Sequence, residues 1–365
     1  MDVEAIQKTL DTGVTQKVFS GCALEVGFEG EKTLSLSAGG CSYDPEDHRV
    51  SRHTLFDLGS LTKPLATALA LMSLHDEGLL ELDRPVGEIL PPGVPRDKAA
   101  VTPRLLLTHT AGFTDWAPYY KRLEGVAPLE RKTTLRRWLV EEPLRYEPGT
   151  ECLYSDPGFI LLEWVVERLA GEDMAGFVED RFYRPLNLSR LFLFQRGRAP
   201  GFQKEDFAAT EDCPWRKRVL RGEVHDENAF ALGGYSGHAG LFGTAGDVYE
   251  LLQLLRGHLF GLRRDFFRPE TLWAFFEKQE QIPGCGRALG WDMPAGKGSA
   301  AGRYFSRKSV GHLGFPGTSL WMDLEKDVQV VFLSNRVHPS RANTAIRDFR
   351  PRIHDLVMKE LGFGD

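Results

Sequence analysis

The chain has 365 residues, 42% of them apolar and 26% charged, a balance typical of folded globular proteins that excludes wholesale disorder. Its 45 basic and 51 acidic side chains leave a formal charge of −6. That speaks against a dedicated nucleic-acid binder, which would carry a basic excess.

The start, Met1-Asp2-Val3-Glu4, lacks the basic residues and apolar core of a signal peptide. The expectation is a cytoplasmic protein, or a periplasmic one if a leader has been removed. Apolar positions at Val3, Ile6, Leu10 and Val14 predict an amphipathic helix over Asp2–Lys17. Alternation in Cys22–Phe28 and Thr33–Ala38, around Glu29-Gly30-Glu31, predicts a hairpin. A long helix is expected to open at Ser60 and stop at Gly78. From about Asp83 to Met293 the texture changes. Helical segments (Thr134–Val140, Phe159–Ala170, Asp247–Leu259, Pro269–Lys278) alternate there with loops rich in Pro, Gly and aromatics. Strand-like alternation returns at Ser309–His312, Thr318–Asp323 and Val328–Ser334, and Arg347–Leu361 closes the chain as a helix. No stretch approaches the roughly 18 uninterrupted apolar residues of a membrane span: Ala66–Leu74 is short, and Glu163 interrupts Phe159–Val166.

Strands at both ends around a helical middle predict an α/β (α+β) fold. One antiparallel sheet would be built from residues 1–82 and 294–365 and flanked by helices. Residues 83–293 would form an inserted, mainly helical lobe, and the two together would make one unit. The five cysteines (Cys22, Cys41, Cys152, Cys213, Cys285) are odd in number and scattered, with no C-x-x-C pair, so free thiols are expected. The run Arg216-Lys217-Arg218 with Arg221 reads as a solvated surface. The Gly/Ala-rich stretch Ala295–Gly302 lacks phosphate-loop spacing and reads as a surface loop.

Chemistry concentrates in three segments. The first is Phe56-Asp57-Leu58-Gly59-Ser60-Leu61-Thr62-Lys63. On a helix, Lys63 lies three residues on and about 60° around the axis from Ser60, so its amine can reach the hydroxyl. A serine needs a neighbouring base before it becomes a useful nucleophile. The spacing alone equally fits a capping serine with a solvated lysine. The second segment, Tyr154-Ser155-Asp156-Pro157-Gly158, places Asp156 as N-cap and Pro157 as first helical residue, with Tyr154 in the preceding turn. In the third, Val310-Gly311-His312-Leu313-Gly314-Phe315-Pro316-Gly317, a strand end carries His312 and glycines permit close backbone approach.

These segments, in this order, resemble the serine β-lactamase and penicillin-binding protein superfamily, in its class C β-lactamase and D-alanyl-D-alanine carboxypeptidase/esterase branch. Leu105–Phe113, Gly240–Ala245 and Leu289-Gly290-Trp291-Asp292 extend the resemblance to most of the chain. It implies an acyl-enzyme on Ser60, with Lys63 and Tyr154 handling the proton. The oxyanion would rest on the N–H groups of Ser60 and Phe315, and Asp156, His312 and Gly314 would line the substrate site. No cofactor is implied. The expected substrate is a small ester, amide or peptide, cell-wall-derived molecules among them. Neither nucleic acid nor a membrane span enters.

Two departures from the family pattern shape the substrate expectation. Asp156 stands where the family usually has asparagine, and an ionised carboxylate offers no donor to a substrate carbonyl. It could instead hold Lys63 as a cation, or simply cap the helix. His312 replaces lysine, with a charge that is partial at best near neutrality. Both favour an esterase or peptidase over an efficient β-lactamase. The segment Val224-His225-Asp226-Glu227-Asn228-Ala229, with Gly237-His238-Ala239-Gly240 and Asn335-Arg336-Val337-His338-Pro339, resembles a subgroup with members associated with cell-wall metabolism. His225, Asp226, Glu227 and His238 include metal-ligating types but match no established spacing, and a polar loop network is the expectation. Asn343, just before the last helix, is a candidate for substrate contact, with surface capping the expectation. A rival function is a penicillin-binding sensor or binding module of the same fold that does not turn over. An α/β-hydrolase elbow at Gly234-Tyr235-Ser236-Gly237-His238 fails for want of the second glycine at its required position.

Overall fold

Residues from both chain ends build one sheet, because alternating apolar side chains at each end need a common layer to cover. The computed structural model describes residues 1–197, 201–280, 282, 285–296 and 298–364. Its main sheet comprises β1 (Gly21–Phe28), β2 (Glu31–Gly39), β3 (Arg287–Ala288), β4 (Trp291–Asp292), β5 (Ser309–Leu313), β6 (Ser319–Asp323) and β7 (Val328–Ser334). The spatial order is β2-β1-β7-β6-β5-β4-β3, antiparallel throughout. The register sets Val26 opposite Val330 and Val330 opposite Trp321.

The two faces of the sheet feed two cores. Leu24, Val26, Val330 and Phe332 pack with Ile6 and Leu10 of α1 (Val3–Thr15) and with Phe349 and Ile353 of the last helix, Ile346–Met358. The Asp2 carboxylate caps α1 by accepting from the Ala5 N–H at 2.9 Å. Ala23, Val331, Leu333 and Val310 face the other way, into the larger core. That core also takes α2 (Leu69–Asp76), α3 (Asp156–Ala170) and α4 (Ala245–Leu259). With these in place, the last helix is α5. The segment 83–293 carries helices together with short strands outside the main sheet (Phe192–Leu193, Asp212–Cys213, Arg218–Val219 and Leu241–Gly243), and it also gives β3 and β4 to that sheet and lays α4 against β1 and β7. Among the described residues no helix is long and apolar enough to cross a membrane.

The helix expected from Ser60 is not uniform. A 3-10 turn covers Gly59–Leu61, wider π-type turns cover Lys63–Ala68, and α2 follows. Pro64 removes an N–H from the ladder at this point. Thr62 Oγ1 donates to the Gly59 carbonyl (2.6 Å) and accepts from the Leu241 N–H (3.0 Å), which pins the turn.

Three further expectations change. Cys152 and Cys285 form a disulfide across 133 residues of sequence, with Cα atoms 6.0 Å apart, while Cys22, Cys41 and Cys213 are free and buried. The fold brings the loop before α3 beside the segment after Pro269–Phe276, an adjacency that spacing does not reveal. The basic run is a solvated surface only in part: Lys217 and Arg218 are exposed, while Arg216 and Arg221 are largely buried and act as staples. Arg216 is nearly buried and donates to Glu223 and to the carbonyls of Val224 and His225, Arg218 pairs with Glu223, and Arg221 pairs with Asp47. In Ala295–Gly302, Ala301 is buried in the terminal-helix core; Lys297 lies outside the described residues.

Candidate active site

The segment carrying Ser60 is shaped by its neighbours. Gly59 has φ +53°, and a Cβ there would lie 2.5 Å from Pro316 Cδ, so only glycine fits. The buried Asp57 carboxylate accepts from the Gly59 N–H (2.9 Å) and the His225 N–H (2.6 Å), tying the turn to a distant loop. Ser60 then opens onto a cavity of about 380 Å³ that Tyr154, Asp156, His238 and Phe315 also line.

Beneath it, Lys63 has no exposed surface. Its amine spends three N–H donors on three acceptors: Ser60 Oγ (3.1 Å), Asp156 Oδ1 (2.7 Å) and the His238 carbonyl (3.2 Å). Burial alone would lower its pKa, but the charges of Asp156 and Tyr154 outweigh burial and raise it. Lys63 is therefore a cation, which settles how it meets the phenol. Tyr154 faces both Lys63 and Ser60, and the amine lies 4.8 Å from its ring centroid. Burial raises the phenol's pKa, and Lys63 opposes that only in part. Behind Tyr154 the His109 ring packs at 4.4 Å, and its Nδ1 accepts from the Ser155 N–H at 2.9 Å. Burial keeps His109 neutral by pushing its pKa well below the ordinary value.

Asp156 is not the helix cap. Ser155 is: its Oγ accepts from the Gly158 N–H at 3.1 Å, and Asp156 is the first residue of α3. With the cap supplied by its neighbour, the Asp156 carboxylate is free to meet Lys63.

A second charge pair adjoins the first. His238 Nε2 lies 2.9 Å from Asp226 Oδ1, and the Asp226 and Asp156 carboxylates outweigh burial to raise the imidazole's pKa. Asp226 also caps its own short helix by accepting from the Ala229 N–H. The turn presenting His238 is held from below: the buried Glu163 carboxylate accepts from Ser236 Oγ (2.6 Å) and the Gly237 N–H (3.0 Å), and Thr67 Oγ1 donates to the Gly237 carbonyl. Ligand atoms of Asp156, Asp226 and His238 lie within 4.8 Å of one another. Each carboxylate of the cluster also has a partner, Asp156 in Lys63 and Asp226 in His238. On the outer wall, Arg341 is gripped by Glu211 and Glu227 (2.5 and 2.6 Å), and Glu211 also meets His225 Nε2.

Comparison with known proteins gives the family. A family model described as Beta-lactamase matches residues 6–350. The chain belongs to the beta-lactamase family. Similar proteins include one from Escherichia coli (strain K12) named "Putative D-alanyl-D-alanine carboxypeptidase". It is 34% identical over 315 residues, covering 80% of this chain and 71% of that one. A protein of the same name from Salmonella schwarzengrund (strain CVM19633) is 31% identical over 323 residues, covering 82% and 73%. Among solved structures, the octameric penicillin-binding protein homologue from Pyrococcus abyssi has a TM-score of 0.76 at 20% identity, covering 100% of this chain and 78% of that one. EstCE1, a hydrolase with promiscuous acyltransferase activity, has a TM-score of 0.74 at 23% identity, covering 95% and 98%. The structural likenesses establish the β-lactamase/transpeptidase-like fold, and with the family match and named relatives the chain is a serine hydrolase.

In this beta-lactamase-family hydrolase the predicted site residues divide into two groups. Ser60, Tyr154, Asp156 and Phe315 line one cavity, and Lys63 lies beneath it, bonded to Ser60 and Asp156. His312 and Gly314 do not line it. His312 is buried beside Tyr154, with ring centroids 6.0 Å apart, and burial pushes its pKa down to about 4, so it carries no charge at neutrality. Gly314 serves packing: a Cβ there would overlap Thr318 Oγ1 and lie 2.5 Å from the Leu58 carbonyl. Asn343 is structural, as expected, donating to the Lys17 and Val18 carbonyls. Of the metal-type residues, His225 meets Glu211, Asp226 meets His238 and Glu227 meets Arg341. Sequence reasoning missed Asp57, Glu163 and Arg341. Glu163 did leave a signal, as a lone charge within an apolar helix run.

Proposed function

We propose that this hydrolase cleaves a small ester, amide or peptide through an acyl-enzyme on Ser60, and that it is an esterase or peptidase more than a β-lactamase. The observation that carries the reading is the Lys63 amine, held between Ser60 Oγ and Asp156 at the floor of a cavity. With Lys63 a cation, the base is Tyr154, acting through the minor phenolate fraction that the adjacent ammonium favours against burial. Tyr154 takes the Ser60 proton as Oγ bonds to the substrate carbonyl carbon. It returns that proton to the leaving oxygen or nitrogen as the scissile bond breaks. Water then adds to the acyl-enzyme by the same route, releasing the acid and restoring Ser60. The N–H groups of Ser60 and Phe315 are the proposed oxyanion donors. Phe315 N lies 3.3 Å from where a Gly59 Cβ would sit, which sets it beside the Ser60 backbone.

A neutral His312 and an anionic Asp156 give little attraction for a substrate carboxylate at the positions where the family resemblance would place it, which supports the esterase or peptidase side. The name of the curated relatives makes peptides ending in D-alanine the first amides to test, cell-wall fragments among them. A panel of p-nitrophenyl esters, D-amino-acid amides and peptides, and a chromogenic β-lactam, run against wild type and Ser60→Ala, tests the proposal. Ester or amide turnover lost in Ser60→Ala, with slow β-lactam turnover, is the expected result. A β-lactam turned over faster than every ester and amide contradicts it. The absence of a side-chain donor at ionised Asp156 favours one second reading, a non-turning-over sensor. That reading predicts a stable one-to-one adduct and no turnover in the same panel.

A further inference from the structure

Two buried arginines converge on the turn that follows β5. Arg350, on α5, donates from Nη2 to the carbonyls of Gly314 (2.8 Å) and Thr318 (2.9 Å). Arg336, just after β7, donates from Nε to the carbonyl of Phe315 (2.9 Å) and from Nη1 to the carbonyls of Arg341 and Asn343. Both are more than nine-tenths buried, and among the described residues neither forms a salt bridge. A buried guanidinium without a counter-ion is costly. Hydrophobic packing with ordinary turn chemistry would hold this loop at less expense, so the charge calls for a purpose.

That purpose follows from peptide geometry. The Gly314 carbonyl belongs to the same planar peptide unit as the Phe315 N–H, and in a trans unit the two point opposite ways. A cation on the carbonyl oxygen draws electron density through the unit and makes the N–H a stronger donor. The same turn is tied to the segment that carries Ser60: Thr318 Oγ1 donates to the Leu58 carbonyl at 2.9 Å, and Gly314 N–H donates to the Thr318 carbonyl at 2.8 Å. Arg350 therefore grips both carbonyls of a turn that is itself fastened two residues before Ser60.

We propose that Arg350 is a positioning residue that aims and polarises the Gly314–Phe315 peptide, strengthening the Phe315 N–H as an oxyanion donor, with Arg336 fixing the following carbonyl. Burial lowers the pKa of Arg350 to about 9, which still leaves it charged at neutral pH. The inference rests on Ser60 being the nucleophile, as proposed above.

The test uses the full chain as wild type, Arg350→Met, Arg350→Lys and Ser60→Ala. Each is acylated with cinnamoyl imidazole and followed by mass spectrometry and infrared difference spectroscopy, alongside ester kinetics and binding of an arylboronic acid. Losing a whole oxyanion donor costs about 10²–10³ in kcat, so weakening one is expected to lower kcat about tenfold with KM little changed. Boronate affinity falls in parallel. The acyl carbonyl band moves to higher wavenumber in Arg350→Met, and less far in Arg350→Lys, which keeps the charge but not the planar fork. A merely structural arginine would leave the carbonyl band of the folded, acylated fraction where it is. An unshifted band with unchanged kcat in whichever Arg350 variant folds overturns the proposal. Absence of label on wild-type Ser60 overturns the reading of the site instead, so the two failures are distinguishable.

Discussion

Lys63 and Asp156 form a 2.7 Å ion pair in which the lysine has no exposed surface and the carboxylate faces the cavity. Asp156 raises the pKa of Lys63 and also that of Tyr154, since a carboxylate favours the ammonium and disfavours the phenolate.

Replacing Asp156 by Asn removes a charge that opposes phenolate formation. The pKa values of Lys63 and Tyr154 both fall, so the base form of either appears at lower pH. In wild type, kcat/KM is expected to keep rising above pH 8, because the phenol's pKa lies above its ordinary value of about 10. In Asp156→Asn the rising limb moves to lower pH by about 1 unit or more. A pH–rate profile checks this, and an unmoved limb contradicts the role given to the carboxylate.

Tyr154→Phe removes the proton carrier while leaving the ring packed on His109. Acylation is expected to slow by about 10²–10⁴-fold with an unchanged melting temperature. Stopped-flow bursts with a p-nitrophenyl ester measure the step directly. A burst at the wild-type rate removes Tyr154 from the mechanism.

Much of this was legible in the residues. The terminal strands and the central helices follow from period and punctuation, and the convergence of Ser60, Lys63 and Tyr154 follows from the family resemblance that their motifs carry. What escaped is what only packing decides. Asp and Ser are both good caps, so nothing local told which of Ser155 and Asp156 would cap α3. His312 and Gly314 sit in the expected motif, yet the strand's pleat buries one behind Tyr154 and the turn spends the other on close packing. The Cys152–Cys285 link, the Glu163 bracket and the Arg350 clamp each join residues more than 30 positions apart, beyond the reach of local pattern.

Glu163 is wholly buried. Burial would raise its pKa, but the charges of Lys132 and Arg136 outweigh that and hold the carboxyl below its ordinary value. A depressed carboxylate adds stability that is full above the unfolded pKa of about 4.3 and is lost as pH falls through the folded value. Glu163→Gln is expected to cost about 1–3 kcal/mol at pH 7, because it takes one carboxylate partner from Lys132 and weakens the bonds accepted from Ser236 and Gly237, while Glu167 still pairs with Lys132 and Arg136. It should also lose less stability than wild type on acidification below about pH 4. Urea midpoints at pH 7 and pH 3.5 measure both effects, and parallel pH dependence in the two proteins contradicts the assignment.

Gly314→Ala places a methyl group against Thr318 Oγ1 and the Leu58 carbonyl, which are hydrogen-bonded to each other. The overpacking is expected to cost about 1–3 kcal/mol and to lower kcat more than it changes KM, by pushing the Phe315 N–H away from Ser60. Thermal unfolding and ester kinetics on the purified variant check this. A variant with wild-type stability and rate means the turn has room that the packing denies.

The most direct measurement is peptide mass spectrometry after brief exposure to an activated ester at pH 7, quenched with acid. A single acyl group on Ser60 is expected, together with loss of label and turnover in Ser60→Ala. Acylation of a different side chain, or ester turnover surviving in Ser60→Ala, contradicts the account.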